Sequence, residues 1–198
     1  MTQFAAIILA GGRSSRMGRD KAAITIQGQP FLKKICLLAS QCASQVYVIT
    51  PWIEKYQAIA PGDCQMIREV ALPGETEPHG PLIGFAQALT YVKTEWVLLL
   101  ACDLPNLTES EIQKWSSYLE TTPPEAIAAL PKSSKGWEPL CGFYRRRCLS
   151  VLNEFIDGGG RSFQRWLEQH PVRELPVSDA NILFNCNTPA DLEQIQKG

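Results

Sequence analysis

Residues 9–21 read L-A-G-G-R-S-S-R-M-G-R-D-K, and the fold can be inferred outward from this stretch. It follows an apolar run over 4–9 that predicts a buried strand. Two adjacent glycines let a chain turn sharply and bring backbone N–H groups close to a ligand, and such donors suit phosphate oxygens. Four cations surround the turn, namely Arg13, Arg16, Arg19 and Lys21. The stretch therefore indicates a polyanionic ligand at the end of a strand.

Neither of the two common glycine motifs for phosphate groups fits this stretch. A P-loop has the spacing G-x-x-x-x-G-K-[ST], whereas Gly18 is followed by Arg19, Asp20 and Lys21. The dinucleotide fingerprint G-x-G-x-x-G is absent, which argues against an NAD-type oxidoreductase. On the glycines alone, a basic turn that only connects a strand to a helix stays an alternative.

Strand-like apolar runs alternate with helical spacing along the chain. The patterns predict strands over 4–9, 45–50, 65–67, 96–101, 126–130 and 140–144, and helices over 30–41, 52–60, 81–92, 108–119, 145–155 and 162–169 and from 189 onward. This alternation predicts an α/β fold with a Rossmann-like, doubly wound, mostly parallel sheet and short antiparallel insertions. The length of 198 residues suits a single domain over 1–198.

Composition narrows the class of protein further. Apolar residues make up 45% and charged residues 20% of the chain, as in a soluble globular protein. The net charge of −1 argues against nucleic acid as a partner. Seven scattered cysteines without C-x-x-C spacing predict reduced thiols rather than disulfides or a zinc site. We expect no signal peptide, no membrane partner and a cytoplasmic location, because no apolar run approaches the roughly 18 residues of a membrane span.

Asp103 follows the apolar run 96–101 as Gly11 follows the run 4–9. Ligands of open α/β sheets bind outside the carboxyl ends of parallel strands, so the two residues are expected to face one crevice. Mg²⁺ typically takes one or two carboxylates together with phosphate oxygens and water. Asp103 is therefore a candidate ligand for Mg²⁺ against a bound triphosphate, the alternative being a turn cap before Pro105.

Five short segments, in order, resemble the molybdenum cofactor guanylyltransferases of the nucleotidyltransferase superfamily. They are the stretch 9–21, G-P-L-x-G at 80–84, C-D-L-P at 102–105, G-R at 160–161 and N-x-N-T-P at 185–189. The resemblance implies that GMP passes from GTP to molybdenum-molybdopterin, giving the guanine dinucleotide cofactor and pyrophosphate. It also implies transient contact with proteins that insert or deliver the cofactor.

The resemblance carries residue roles onto matching positions. It implies catalytic roles for Lys21 and Asp103, with Mg²⁺ on Asp103. It implies a GTP site formed by Leu9, Ala10, Gly11, Gly12, Lys21, Glu69 and Asp103. It implies a molybdopterin site formed by Arg16, Arg161, Asn185 and Asn187. Thr188 and Pro189 are read from the sequence itself, as the cap and first residue of a helix.

Two departures from the family pattern leave the base preference open between GTP and CTP. Glu69, or a residue displaced by the longer loop, stands where the family often has aspartate, and Thr50 stands where asparagine is common. A cytidylyltransferase for the same cofactor is thus an alternative, as is a sugar-phosphate nucleotidylyltransferase, although segments 160–161 and 185–189 argue against the latter. A non-catalytic carrier of nucleotide or cofactor is the alternative of another class. The presence of both Lys21 and Asp103 favours the enzyme.

Overall fold

The computed structural model describes residues 2–11, 20–72, 74 and 80–197. Its strands are β1 (Phe4–Leu9), β2 (Thr25–Ile26), β3 (Gln29–Pro30), β4 (Val46–Thr50), β5 (Gln65–Arg68), β6 (Trp96–Ala101), β7 (Ala128–Ser133), β8 (Gly136–Trp137), β9 (Cys141–Arg145) and β10 (Val172–Leu175). Its α-helices are α1 (Phe31–Cys42), α2 (Ile53–Tyr56), α3 (Pro81–Leu89), α4 (Glu109–Ser117), α5 (Leu149–Asp157), α6 (Phe163–Leu167) and α7 (Pro189–Lys197). Short 3₁₀ helices cover Lys21–Ala23, Leu119–Thr121, Arg146–Cys148 and Ala180–Leu183.

One large sheet organises the described chain. Its strand order is β10-β7-β9-β6-β1-β4-β5, with β8 paired to β7 at the side, while β2 and β3 form a separate hairpin. Strands β5, β4, β1 and β6 are parallel neighbours, and β7 and β10 are parallel to each other. Strands β8 and β9 pair antiparallel to their neighbours. This confirms the predicted mostly parallel α/β sheet with short antiparallel insertions.

Central strand β1 shows why helices cover both faces of the sheet. Successive side chains of a strand point to opposite faces. Phe4, Ala6 and Ile8 pack in one core with α1 and α4, and Ala5 and Ile7 pack in a second core with α3, α5 and α6. A strand buried on both faces must be apolar without interruption, which is the pattern that predicted β1 and β6 at their observed bounds.

The strand register places the ends of the parallel strands side by side. Leu9 of β1 lies opposite Ile49 of β4 on one side and Ala101 of β6 on the other. Thr50 in turn lies opposite Arg68 of β5. The residues that follow these strands therefore emerge along one edge of the sheet.

A small third core brings the C-terminal segment to the same edge. Cys186 is fully buried with Ile26 and Phe31, and residues of α7 pack against this group. The Cys186 N–H donates to the carbonyl of Asp103 at 3.1 Å. The Asp191 carboxylate accepts the N–H groups of Asn187 and Thr188, and the Thr188 hydroxyl caps α7 as predicted. The chain around 185–187 is thus tied to the segment after β6.

Among the elements that differ from the sequence predictions are β10, α2 and α5. Strand β10 was not predicted, since its four residues lie between prolines and show little alternation; pairing with β7 makes it a strand. Helix α2 is a single turn, because the chain then continues through turns closed by the carbonyl of Tyr56. The helix predicted over 145–155 starts at Leu149, after a 3₁₀ turn. Within the described ranges, no helix has both the length and the apolar character to cross a membrane.

Candidate active site

A cavity of about 670 Å³ opens at the carboxyl ends of β1, β4, β5 and β6. It is lined by Leu9, Ala10, Gly11, Asp20, Lys21, Ala22, Pro51, Trp52, Tyr56, Glu69, Gly80, Pro81, Gly84, Ala101, Cys102, Asp103, Leu140, Asn185 and Asn187. The expected meeting of Gly11 and Asp103 in one crevice is therefore observed. The first turn of α3 also lines the cavity, and a helix N-terminus carries partial positive charge.

Lys21, Asp103 and Asn187 form a connected polar group in this cavity. The Lys21 ammonium donates to the Asp103 carboxylate at 2.8 Å and to the Asn187 side-chain oxygen at 2.5 Å. The side chains of Lys21 and Asp103 are 16% and 14% exposed, so their ion pair is partly shielded from water. Asn187 also donates to the Asn185 carbonyl at 3.4 Å. Three distant parts of the sequence thus join at one charged centre.

Asp20, the residue before Lys21, holds the turn in which Lys21 lies. Its carboxylate caps the Lys21–Ala23 turn by accepting the Ala22 N–H. Both of its oxygens accept the Tyr56 hydroxyl, at 2.8 and 2.9 Å, and the Lys55 ammonium lies 2.6 Å away. Burial, and then the hydrogen bond to Asp20, raise the pKa of Tyr56, so this hydroxyl stays protonated as a donor. Helix α2 therefore anchors the chain just before Lys21.

Glu69 contributes a buried carboxylate at another part of the cavity. The residue is 8% exposed, and burial raises the pKa of its carboxyl group to about 7. Its Oε2 approaches Gly11 so closely that a Cβ on Gly11 would lie 2.7 Å away, and the same Cβ would lie 3.2 Å from Cδ of Pro51. Only glycine fits at position 11 without displacing these neighbours. Gly11, Pro51 and Glu69 thus meet closely.

The raised pKa of Glu69 makes stability depend on pH. Between pH 4.5, its ordinary pKa, and about pH 7, the folded chain holds a proton that the unfolded chain releases. The free energy of unfolding should therefore fall as pH rises through this window, by up to about 3 kcal/mol. We expect Glu69→Gln to flatten this dependence, measured by urea unfolding from about pH 5 to about pH 8. An unchanged slope in the variant would contradict the assignment of this proton to Glu69.

Several predicted GTP-site residues line the cavity, but they are not equally available. Leu9, Ala10 and Gly11 line the cavity, and the Ala10 N–H already donates to the Ile49 carbonyl at 3.0 Å. The Ala10 N–H is therefore bonded within the sheet and is not available to a phosphate oxygen. Gly12 and Arg16 lie outside the described residues, so their predicted roles stay predictions.

Arg161 is the described site residue that does not line the cavity. Its guanidinium donates to the carbonyls of Ile156 and Gly160, both at 2.8 Å, near the end of α5. The contacts tie the glycine turn to the helix before it. Asn185 and Asn187, in contrast, both line the cavity beside Lys21 and Asp103. Of the predicted molybdopterin residues that the structure describes, Asn185 and Asn187 therefore share the cavity and Arg161 does not line it.

The donor set of the cavity fits Mg²⁺ through Asp103. Among the described residues, no three or more histidine, cysteine, aspartate or glutamate side chains form a metal-binding group. A structural zinc or calcium site would need such a group, whereas Mg²⁺ is held by one or two carboxylates and by substrate phosphates and water. Asp103 offers one carboxylate within the cavity. Its pairing with Lys21 means that a cation would share this carboxylate with the ammonium.

The sequence patterns did not indicate the side chains that hold Asp20 next to Lys21. Trp52, Lys55 and Tyr56 lie at i, i+3 and i+4 positions beside or within α2, and Asp20, the partner of Lys55 and Tyr56, belongs to the quoted stretch. The helical spacing could have indicated a shared face. Nothing local indicated that this face meets Asp20, because that contact joins residues 36 positions apart.

Comparison with known proteins adds the class of protein to this geometry. Residues 6–173 match the family described as the MobA-like NTP transferase domain. The crystal structure of molybdopterin-guanine dinucleotide biosynthesis protein A from Archaeoglobus fulgidus superposes with a TM-score of 0.79, covering 98% of this chain and 97% of that one, at 22% identity. At that identity it shares the fold. Fold, strand-end cavity and domain match together define a nucleotidyltransferase.

Relatives narrow the class further. A protein of Nostoc sp. named "Probable molybdenum cofactor guanylyltransferase" is 57% identical, covering 99% of this chain and 92% of the relative. A Synechococcus elongatus protein of the same name is 41% identical, covering 98% of both chains. The chain belongs to the molybdenum cofactor guanylyltransferase family, as the sequence motifs predicted. Membership of a family of transferases favours the enzyme over the non-catalytic carrier.

Proposed function

We propose that this enzyme transfers GMP from GTP to molybdenum-molybdopterin, releasing pyrophosphate. The observation that carries the proposal is the cavity in which Lys21, Asp103 and Asn187 meet near one strand end and Glu69 lies near another. Strands β6 and β5 are three places apart in the sheet, so these groups follow strands about 14 Å apart. A nucleoside triphosphate is long enough to use both.

The reaction requires that the two substrates be aligned and that the negative charge of their phosphates be neutralised. It does not require a protein side chain to act as a base. The terminal phosphate of molybdopterin has a second pKa of about 6, so it is already an anionic nucleophile near neutral pH. Its oxygen attacks the α-phosphorus of GTP, the bond from that phosphorus to the bridging oxygen breaks, and pyrophosphate leaves. Lys21 would donate to phosphate oxygens, and its charge would favour the triphosphate over water.

Mg²⁺ is the metal that this proposal includes. Asp103 would hold it, and when bound it would neutralise charge on the phosphates. Lys21 already lies 2.8 Å from the Asp103 carboxylate, so the two cations would act at one place. In this proposal the two residues have separate roles. Asp103 holds the metal, and Lys21 contacts phosphate directly.

Glu69 is proposed to bind the guanine base. The Watson–Crick edge of guanine presents an N–H and an NH₂ side by side, and an ionised carboxylate can accept both. With the pKa of Glu69 near 7, guanine should bind better as pH rises above this value. A protonated carboxyl group can instead donate to the ring nitrogen of cytosine and accept from its amino group. The raised pKa of Glu69 makes this protonated form accessible near neutral pH, which supports CTP as the second candidate substrate.

The decisive experiment measures pyrophosphate release with purified protein, molybdenum-loaded molybdopterin and Mg²⁺, comparing GTP, CTP and ATP on both sides of neutral pH. Turnover with GTP supports the proposal. Preference for CTP at every pH would retain the reaction and overturn the base assignment at Glu69 and Thr50. Absence of release with every nucleotide would overturn the proposed function. The same assay with a sugar phosphate in place of molybdopterin tests the remaining acceptor.

Asn187 is proposed to contact the pterin substrate, and Asn187→Ala tests this. We expect KM for molybdenum-molybdopterin to rise about tenfold, the effect of losing one or two hydrogen bonds from a site left partly unpaired. The KM for GTP should change little. Because Asn187 also accepts a hydrogen bond from Lys21, a fall in kcat with unchanged pterin KM would instead assign it to positioning Lys21.

A further inference from the structure

Trp52 is an exposed aromatic residue among those that line the cavity. It follows β4 directly after Pro51, is 40% exposed and lines the cavity. Isolated exposed aromatic residues are common and need no explanation by themselves. This one is distinguished by where it lies and by how its position is fixed.

The neighbours of Trp52 place it beside Glu69. Thr50 of β4 lies opposite Arg68 of β5, so the residues that follow these two strands emerge next to each other. Pro51 and Glu69 both closely approach Gly11. Lys21 and Asp103 instead form their ion pair where β1 and β6 end. Trp52 therefore belongs to the part of the cavity where the buried carboxylate lies.

The indole of Trp52 is held in place by the protein itself. The backbone N–H of Trp52 donates to the Thr50 hydroxyl at 3.2 Å. The Lys55 ammonium lies over its ring at 5.7 Å from the centroid, and the Tyr56 ring meets it edge-on at 6.4 Å. Lys55 and Tyr56 are in turn bound to Asp20. A surface that is ordered before the ligand arrives loses little freedom on binding.

We propose that Trp52 stacks on the base of the bound nucleoside triphosphate, beside the edge that Glu69 binds. This rests on the proposed nucleotide site and adds a residue to it. Every nucleobase offers an aromatic face, so stacking increases affinity without selecting the base. Selection is left to Glu69, whose carboxylate meets the hydrogen-bonding edge. Trp52 should consequently matter to GTP and CTP alike.

The test compares Trp52→Ala and Trp52→Phe with wild type for binding of GTP and of inorganic triphosphate. Trp137 is the matched control, because it is another partly exposed tryptophan, has the Lys132 ammonium over its ring at 5.2 Å and does not line the cavity. We expect Trp52→Ala to weaken GTP binding about tenfold or more and leave inorganic triphosphate unaffected. Trp52→Phe should restore most of the affinity, and Trp137→Ala should change neither ligand.

Fluorescence gives a second readout that a purely structural role would not produce. Binding of GTP should quench emission in wild type and in Trp137→Phe, and the quench should be lost in Trp52→Phe. Equal weakening of GTP and inorganic triphosphate, unchanged GTP binding, or an effect confined to KM for molybdopterin would each overturn the proposal. Turnover by wild type is scored separately, so Trp52 can fail while the transferase reaction stands. GTP binding that depends on Trp52 without any turnover would retain Trp52 and refute the reaction.

Discussion

Asp103→Ala should abolish turnover, lowering kcat by about 10³-fold or more. The substitution removes the carboxylate that is proposed to hold Mg²⁺ and that forms an ion pair with the Lys21 ammonium at 2.8 Å. Pyrophosphate release across a Mg²⁺ titration measures the effect. Asp103→Asn retains the shape and gives a second variant in which folding is less disturbed.

The control for Asp103 is Asp63→Asn, in an exposed turn before β5 that does not line the cavity. It should retain wild-type kcat and the wild-type Mg²⁺ dependence. Thermal unfolding of all three variants separates loss of activity from loss of structure. Normal turnover by Asp103→Ala at low Mg²⁺ would refute the metal assignment.

Lys21→Met is the second substitution with a large expected effect. Methionine retains most of the length of the side chain but removes the ammonium that contacts Asp103 and Asn187. We expect kcat to fall by about 10²–10³-fold, the usual range when one donor to developing charge is lost. Affinity for inorganic triphosphate should fall as well, since the lost charge is the proposed phosphate contact. Kinetics and triphosphate binding measure the two effects.

The Mg²⁺ dependence of Lys21→Met separates its role from that of Asp103. In wild type, the Lys21 ammonium and Mg²⁺ would compete for the Asp103 carboxylate. Because the variant lacks the ammonium, half-saturation by Mg²⁺ should occur at the wild-type Mg²⁺ concentration or below. Lys33→Met, on the exposed face of α1, is the matched control and should behave as wild type. A strongly raised Mg²⁺ requirement in Lys21→Met would show that Lys21 supports the metal instead of contacting phosphate directly.

Asp20 and Tyr56 hold the turn that begins with Lys21, and neither is proposed to contact substrate. The Tyr56 hydroxyl and the Lys55 ammonium hold the Asp20 carboxylate, which caps the turn that begins with Lys21. These residues are positioning residues for Lys21. Lys55 and Tyr56 also contact the ring of Trp52, so one turn of helix supports both the proposed phosphate contact of Lys21 and the proposed stacking surface.

The sequence alone determined the class of fold, because its signals were local. Uninterrupted apolar runs gave β1 and β6 at their observed bounds, since a strand covered on both faces has no position for a polar residue. The same logic placed Gly11 and Asp103 just past strand ends, and parallel strands bring such ends to one edge. Five motifs in order identified the family.

Tertiary structure alone decided how the cavity is assembled. Lys21 meets Asp103 across 82 positions and Asn187 across 166, and no local pattern encodes such pairings. Strand β10 forms because it pairs with β7. The Arg161 guanidinium donates a hydrogen bond to the Ile156 carbonyl near the end of α5. Trp52 acquires a place beside Glu69 only through the register of β4 with β5. Short-range periodicity sets the elements, whereas register and packing set which side chains share the cavity, because those depend on residues far apart in the chain.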